Sequence, residues 1–307
     1  MIEAVGLSKH YGAKTAVDNV TFTVQPGMVT GFLGPNGAGK STTMRMIVGL
    51  DRPSAGQVTV NGKRYAEHHA PLREVGVLLD AKAVHTGRSA VNHLRALGAT
   101  HGIGRTRVEE VIALTGLQSV AKKRVGGFSL GMGQRLGLAA ALLGDPATLV
   151  LDEPVNGLDP EGVVWVRTLT RHLASEGRTV LLSSHLMSEM AQTADHIIVL
   201  GRGKIIADAP VADIVAKSTG TAVTVRTPDA ARFTTLATSP EVTITSTEPN
   251  LLIVNGLSAP QIGELAAKEG IVLHELTPTV GSLEQAYMQL TADDVEYRSA
   301  GSEGVQA

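Results

Sequence analysis

The chain has 307 residues, 43% of them apolar and 18% charged, enough for one large domain or for a large domain with a smaller one. Basic and acidic residues number 27 and 29, so the net charge is −2 and binding to nucleic acid through bulk positive charge is disfavoured. The absence of cysteine excludes disulfides and cysteine-ligated zinc. No run reaches the roughly 18 to 20 apolar residues of a membrane span, and the opening MIEAVGLSKHYG lacks the basic head and apolar core of a secretory signal. If the protein serves a membrane, another chain is expected to supply the membrane part.

In chain order, Ala16–Val24 alternates like a strand, Pro26-Gly27 marks a turn, and Val29–Gly34 reads as a second strand. A glycine-rich stretch leads into a helix from Lys40. Gly56–Asn61 reads as a short strand that turns at Asn61-Gly62. From about Asp80 to Ala141 the pattern is mostly helical with glycine-rich breaks. Thr148–Pro154 and Thr179–His185 are apolar enough to be buried strands, with a helix between them over Trp165–Gly177. Apolar strands alternating with helices predict an α/β fold around a parallel sheet covered on both faces. After about residue 215 the order becomes β-α-β-β-α-β, which predicts a small ferredoxin-like α+β module over Thr221–Thr277, followed by a helix and a polar, flexible tail. The expected divisions are residues 1–218 with a helical subdomain at about 81–141, then 219–292, then a tail at 293–307.

The stretch Gly34-Pro35-Asn36-Gly37-Ala38-Gly39-Lys40-Ser41-Thr42 fits G-x-x-x-x-G-K-[ST] between a strand and a helix. Glycines let backbone N–H groups approach phosphate oxygens, and the helix start adds unpaired donors. Lys40 is placed to reach β and γ phosphates, and Ser41 to offer its hydroxyl to Mg²⁺. The plainer alternative is a structural glycine turn. Downstream, Asp152 and Glu153 close the apolar run VLDEP. Strand tips in such sheets face the ligand crevice. Asp152 is expected to hold Mg²⁺ through its water, and Glu153, pointing to the other side at the strand end, to act as general base on an attacking water. On their own, these acids could equally be a solvated strand end.

Phe128-Ser129-Leu130-Gly131-Met132-Gly133-Gln134-Arg135 is more selective. It resembles the LSGGQ-x-QR signature of the ATP-binding subunits of ABC transporters, in the variant of the branch that exports drugs and lantibiotics. Ser129, Gly131, Gln134 and Arg135 match, whereas Phe128, Leu130 and Met132 depart. The resemblance covers about residues 1–215 and implies a P-loop NTPase with a RecA-like core and an ABC helical subdomain. It also implies Tyr11 stacked on adenine, Asn156–Asp159 as the D-loop, and His185 as the switch histidine at the γ phosphate. Asp80 stands where these proteins usually carry glutamine, and is expected to be an oxygen ligand for Mg²⁺ in the closed site. The family further implies ATP and Mg²⁺ as cofactors and a homodimer in which Ser129 and Gly131 of one copy meet the phosphates held by the other. A separate membrane permease is the implied partner, contacted through Val84–Leu97, at the cytoplasmic face of the membrane.

The resulting expectation is an ATP-hydrolysing subunit of an exporter of drugs, peptides or other small compounds. Two competing readings are a soluble ABC ATPase acting on a non-transport partner, and a module that holds ATP without turnover. Three features carry little weight: Lys122-Lys123-Arg124 reads as a solvated loop, His68-His69 lacks a ligand set, and no G-x-G-x-x-G dinucleotide motif occurs.

Overall fold

The computed structural model describes residues 1–81, 83–218, 222–278 and 282–291. The expected tail at 293–307 lies outside the described residues. The elements run β1 (Ile2–Tyr11), β2 (Lys14–Val24), β3 (Val29–Leu33), α1 (Lys40–Ile47), β4 (Ala55–Val60), α2 (Pro71–Glu74), β5 (Val75–Leu78), α3 (Ala90–Ala99), α4 (Arg105–Leu114) and α5 (Leu130–Leu142). They continue with β6 (Thr148–Leu151), α6 (Pro160–Ser175), β7 (Thr179–Ser183), α7 (Met187–Thr193), β8 (His196–Gly201), β9 (Lys204–Pro210) and α8 (Val211–Ser218). The last elements are β10 (Ala222–Arg226), α9 (Ala230–Ala237), β11 (Thr243–Glu248), β12 (Leu251–Asn255), α10 (Ala259–Glu269), β13 (Glu275–Pro278) and α11 (Leu283–Thr291). Two compact units result, Met1–Val211 and Ala212–Gln289, so α8 groups with the second unit.

The first unit holds a six-stranded sheet in the order β5-β6-β7-β3-β8-β9. Its strands pair in parallel except for β9, which folds back antiparallel on β8. β3, β6 and β7 are buried at every position, as strands covered on both faces must be. The expected parallel sheet is therefore mixed at one edge, and a second sheet of order β2-β1-β4, all antiparallel, accompanies it. Strand β1 escapes the alternation rule because the register shifts between Ala4 and Leu7, around Gly6 with φ of 58°; a bulge there resets the inward-outward pattern. The β8–β9 hairpin turns through Arg202 and Gly203, both at positive φ. Arginine is an unusual first residue for such a turn.

The two sheets share one core. Ile2, Leu7, Val17, Phe22 and Val24 from the antiparallel sheet cluster with Phe32, Val150, Leu181 and Ile198 from the other, and with Met44 and Ile47 of α1. Helix α1 thus buries an apolar face directly behind the loop that precedes it. Phe22 and Phe32 meet with ring centroids 5.6 Å apart.

In the second unit the strands order as β11-β12-β10-β13, all antiparallel. Val223, Val225, Leu252 and Val254 turn to one face, against Phe233 of α9 and Ile262 and Ala266 of α10. Two-residue periodicity in the strands and a capping box at Ser258 with Gln261 account for these elements. Among the described residues, no helix is long and apolar enough to cross a membrane.

Phe32 is fully buried at the junction of the two sheets and ends two residues before the glycine-rich loop. Phe32→Ala is expected to cost about 3–5 kcal/mol of stability, read as a lower urea midpoint at unchanged slope.

Candidate active site

Beyond β3 the chain passes through Gly34–Gly39 into α1. Gly34 and Gly39 have φ of 155° and 104°. A Cβ on Gly34 would stand 2.5 Å from the Leu200 carbonyl oxygen, and one on Gly39 2.5 Å from that of Ala16. No side chain fits at either place, so the loop is a wall of backbone. Among the described residues no side chain caps α1, which leaves its first N–H groups available to an anion. Lys40 Nζ donates to the carbonyls of Gly34 at 2.5 Å and Pro35 at 3.1 Å. An ammonium has three donors, and one remains for a ligand. Burial lowers the Lys40 pKa below the ordinary lysine value, while Glu153 and Asp152 act in the opposite direction.

In front of the loop lies a cleft of about 400 Å³, lined by Tyr11, Lys14, Ala16, residues 36–42, Asp152 and Glu153. Tyr11 is half exposed, with its hydroxyl donating to Asp51 Oδ2 at 2.9 Å and Lys9 Nζ 5.0 Å from its ring centroid. The Asp51 carboxylate raises the phenol pKa, and Arg45 in turn lowers that of Asp51. Asp152 is held on both oxygens: Ser41 Oγ donates to Oδ2 at 2.9 Å and Ser183 Oγ to Oδ1 at 2.5 Å.

Glu153 departs from the expectation. Strand β6 ends at Leu151, and Glu153 adopts φ of 50°, a left-handed conformation costing about 1–2 kcal/mol for a residue with a Cβ. This kink, rather than strand alternation, sets the direction of its side chain. The Glu153 N–H donates to Ser183 Oγ at 2.9 Å and its Oε2 lies 2.8 Å from His185 Nδ1. A carboxylate oxygen only accepts, so Nδ1 carries the proton and Nε2 is left for other partners.

The remaining predicted residues lie outside this lining. Asp80 is exposed, two positions beyond β5. Ser129 caps α5, accepting from Met132 N–H at 3.3 Å, and Gly131 lies in that helix's first turn. Asp159 caps α6 through Gly162 N–H at 3.1 Å.

The model of the ABC transporter family matches residues 17–156. Over 213 residues the chain is 40% identical to a bacitracin transport ATP-binding protein of Bacillus licheniformis, covering 68% of this chain and 70% of that one. It is 33% identical over 310 residues to a daunorubicin resistance ATP-binding protein of Streptomyces coeruleorubidus, covering 96% and 97%. The chain belongs to the ABC transporter ATP-binding subunits. A solved ATP-binding subunit of an ABC transporter superposes with a TM-score of 0.65 at 28% identity, over 71% of this chain and 92% of that one. Residues 221–284, in the second unit, match a domain of unknown function.

As a member of this family, the ABC subunit is an ATPase whose turnover drives transport. Its site includes residues that the motifs do not single out. Ser183 is fully buried and bridges Asp152 and Glu153. Its only sequence signal is a hydroxyl residue at the end of an apolar strand. Lys14 adds a cation to the cleft from the first position of β2. In the ABC subunit, bound phosphate favours charged Lys40, so nucleotide affinity should fall as pH rises through the lysine's lowered free-state pKa towards its higher bound-state value. Titration with a fluorescent ATP analogue should show this decline beginning below the ordinary lysine value of about 10.5. Lys40→Arg should flatten the profile.

Proposed function

We propose that the subunit binds ATP with Mg²⁺ in the cleft and hydrolyses it with Glu153 as general base, as one half of a head-to-tail homodimer on a separate membrane permease. One observation carries this reading. Lys40, Ser41, Asp152 and Glu153 line one cleft, with His185 bonded to Glu153, while Ser129 and Gly131 open a helix outside that lining. A second copy is then the source of the second anion site.

Ser41 Oγ and Asp152 Oδ2, hard oxygens 2.9 Å apart beside the phosphate loop, fit Mg²⁺, which takes one or two protein oxygens along with phosphate oxygens and waters. When bound, the ion neutralises charge on the β and γ phosphates; Asp80 is proposed as a further ligand on closure. The chain's own residues do the rest. The N–H groups of Asn36, Gly37 and residues 39–42 and the remaining Lys40 donor grip the triphosphate, and Tyr11 stacks on adenine. Glu153 takes the proton of the attacking water, with its carboxylate held by His185 Nδ1–H, whose Nε2 is directed to the γ phosphate. Asp159 and the partner's signature complete the closed site. Loss of the γ phosphate removes the bridge between the two copies, and the pair opens.

The subunit acts at the cytoplasmic face of the membrane, and Val84–Leu97 passes its motion to the permease. The cargo is proposed to be drugs, peptides or other small compounds leaving the cell, in keeping with the bacitracin and daunorubicin names of its relatives. The second unit is proposed to be a ferredoxin-like module that supports the pair, a reading helped by its β-α-β-β-α-β order.

Glu153→Gln tests the whole reading. It should lower hydrolysis by about 10²–10⁴-fold and yield an ATP-bound pair by size exclusion with light scattering. Retained hydrolysis would remove Glu153 from its role, and a variant that binds no nucleotide would remove the cleft from its own. In the same assays, truncation after residue 218 should weaken pairing, and Asp80→Ala should raise the Mg²⁺ concentration needed for turnover.

A further inference from the structure

We propose that Gln134 is a positioning residue for hydrolysis, fixing the peptide of Glu153 from the same helix that begins with Ser129. Gln134 lies in the second turn of α5 and is only 5% exposed. Its Nε2 donates to the Glu153 carbonyl oxygen at 2.8 Å. The Asn156 N–H donates to the same carbonyl at 3.1 Å. On the other side of the residue, the Glu153 N–H is taken by Ser183. Both peptide groups flanking a left-handed backbone are thus held by buried side chains from two different elements, α5 and β7. A non-glycine residue stays in that conformation only where its surroundings over-determine it.

The geometry gives the first two turns of α5 two different duties. Ser129 caps its start, and Gln134 follows five residues later, about 7–8 Å along the axis. A rigid helix of less than two turns therefore links the signature to the Glu153 peptide of the chain's own site. The link is reinforced next door. Arg135 donates to the Thr115 carbonyl at 3.3 Å, lies 3.9 Å from Asp159 and sits 5.0 Å over the Trp165 ring. Leu130 packs so closely on Gly157 that a Cβ there would stand 2.3 Å from its side chain. Any movement of α5 when its start seats on an anion is therefore passed to Glu153 through Gln134, whose bond is already made in the single chain. This transmission between sites rests on the paired reading above; the positioning of Glu153 within its own chain does not.

The test uses the full-length subunit with Gln134→Met, which keeps length and loses the donor, and Gln134→Glu, which keeps shape and loses the N–H. Thermal unfolding identifies which variants are folded. Steady-state kinetics with Mg·ATP should show kcat reduced about tenfold or more with KM within about threefold, because the base is misaimed while the phosphate grip is intact. The ATP-bound pair should accumulate relative to wild type. A kcat within twofold of wild type would overturn the proposal. Loss of pairing together with kcat would overturn it too, and assign Gln134 to the contact between copies. If the wild-type subunit hydrolyses ATP without pairing, the paired reading fails, and the kcat-against-KM split still decides the role of Gln134.

Discussion

A loop can enclose a triphosphate only if its peptide groups, and not its side chains, form the wall. That requirement governs the first unit. Gly34 and Gly39 press against the carbonyls of Leu200 and Ala16 with no space for a methyl group. Those carbonyls belong to β8 and β2, so both sheets must be in place before the loop has its shape. The shared core of Phe22, Phe32, Met44 and Ile198 is what keeps them in place. Binding chemistry at the surface is thereby tied to packing well behind it, and α1 is anchored by the same apolar contacts.

Strand order then brings the acids to the loop. β6, β7 and β3 are neighbours in the sheet and run the same way, so their C-terminal ends form one row. Two strand spacings, about 10 Å, separate the phosphate loop from Asp152 and Glu153. Side chains fill that gap: Ser41 from one side, and Ser183 from the strand between. The middle strand contributes a hydroxyl that orients both acids, and just beyond it His185, which reaches the Glu153 carboxylate. Crossover connections are what allow residues 111 positions apart, Ser41 and Asp152, to share a hydrogen bond.

The phosphate loop and the acid pair were legible in the sequence because each is a local pattern. Glycine, lysine and hydroxyl spacing state their own geometry, and VLDEP places two acids at the end of an apolar run. Ser183 and the contact of Gln134 with Glu153 were not legible, since each gains meaning only from a partner brought near by the fold. Strand alternation carries no information on the left-handed Glu153, because the strand ends at Leu151. Strand β1 was hidden by the bulge at Gly6, and the β8–β9 hairpin by an arginine in its turn. The mixed character of the sheet follows from that hairpin, which places an antiparallel strand at the exposed edge.

The conformation of Glu153 shows why a strained residue suits this site. An extended residue after β6 would continue the strand, and its direction would be set by the sheet alone. A left-handed residue costs about 1–2 kcal/mol and keeps its direction only through the groups that hold it. Here those groups come from β7 and α5, with Gln134 and Ser183 each supplying one bond. The aim of the carboxylate is therefore a property of three elements at once. A base fixed by the sheet alone would be ready whether or not the rest of the site had formed. One held by α5 as well moves with that helix, and in the proposed pair, where the start of α5 seats on the partner's nucleotide, the strain is the physical means by which hydrolysis responds to pairing.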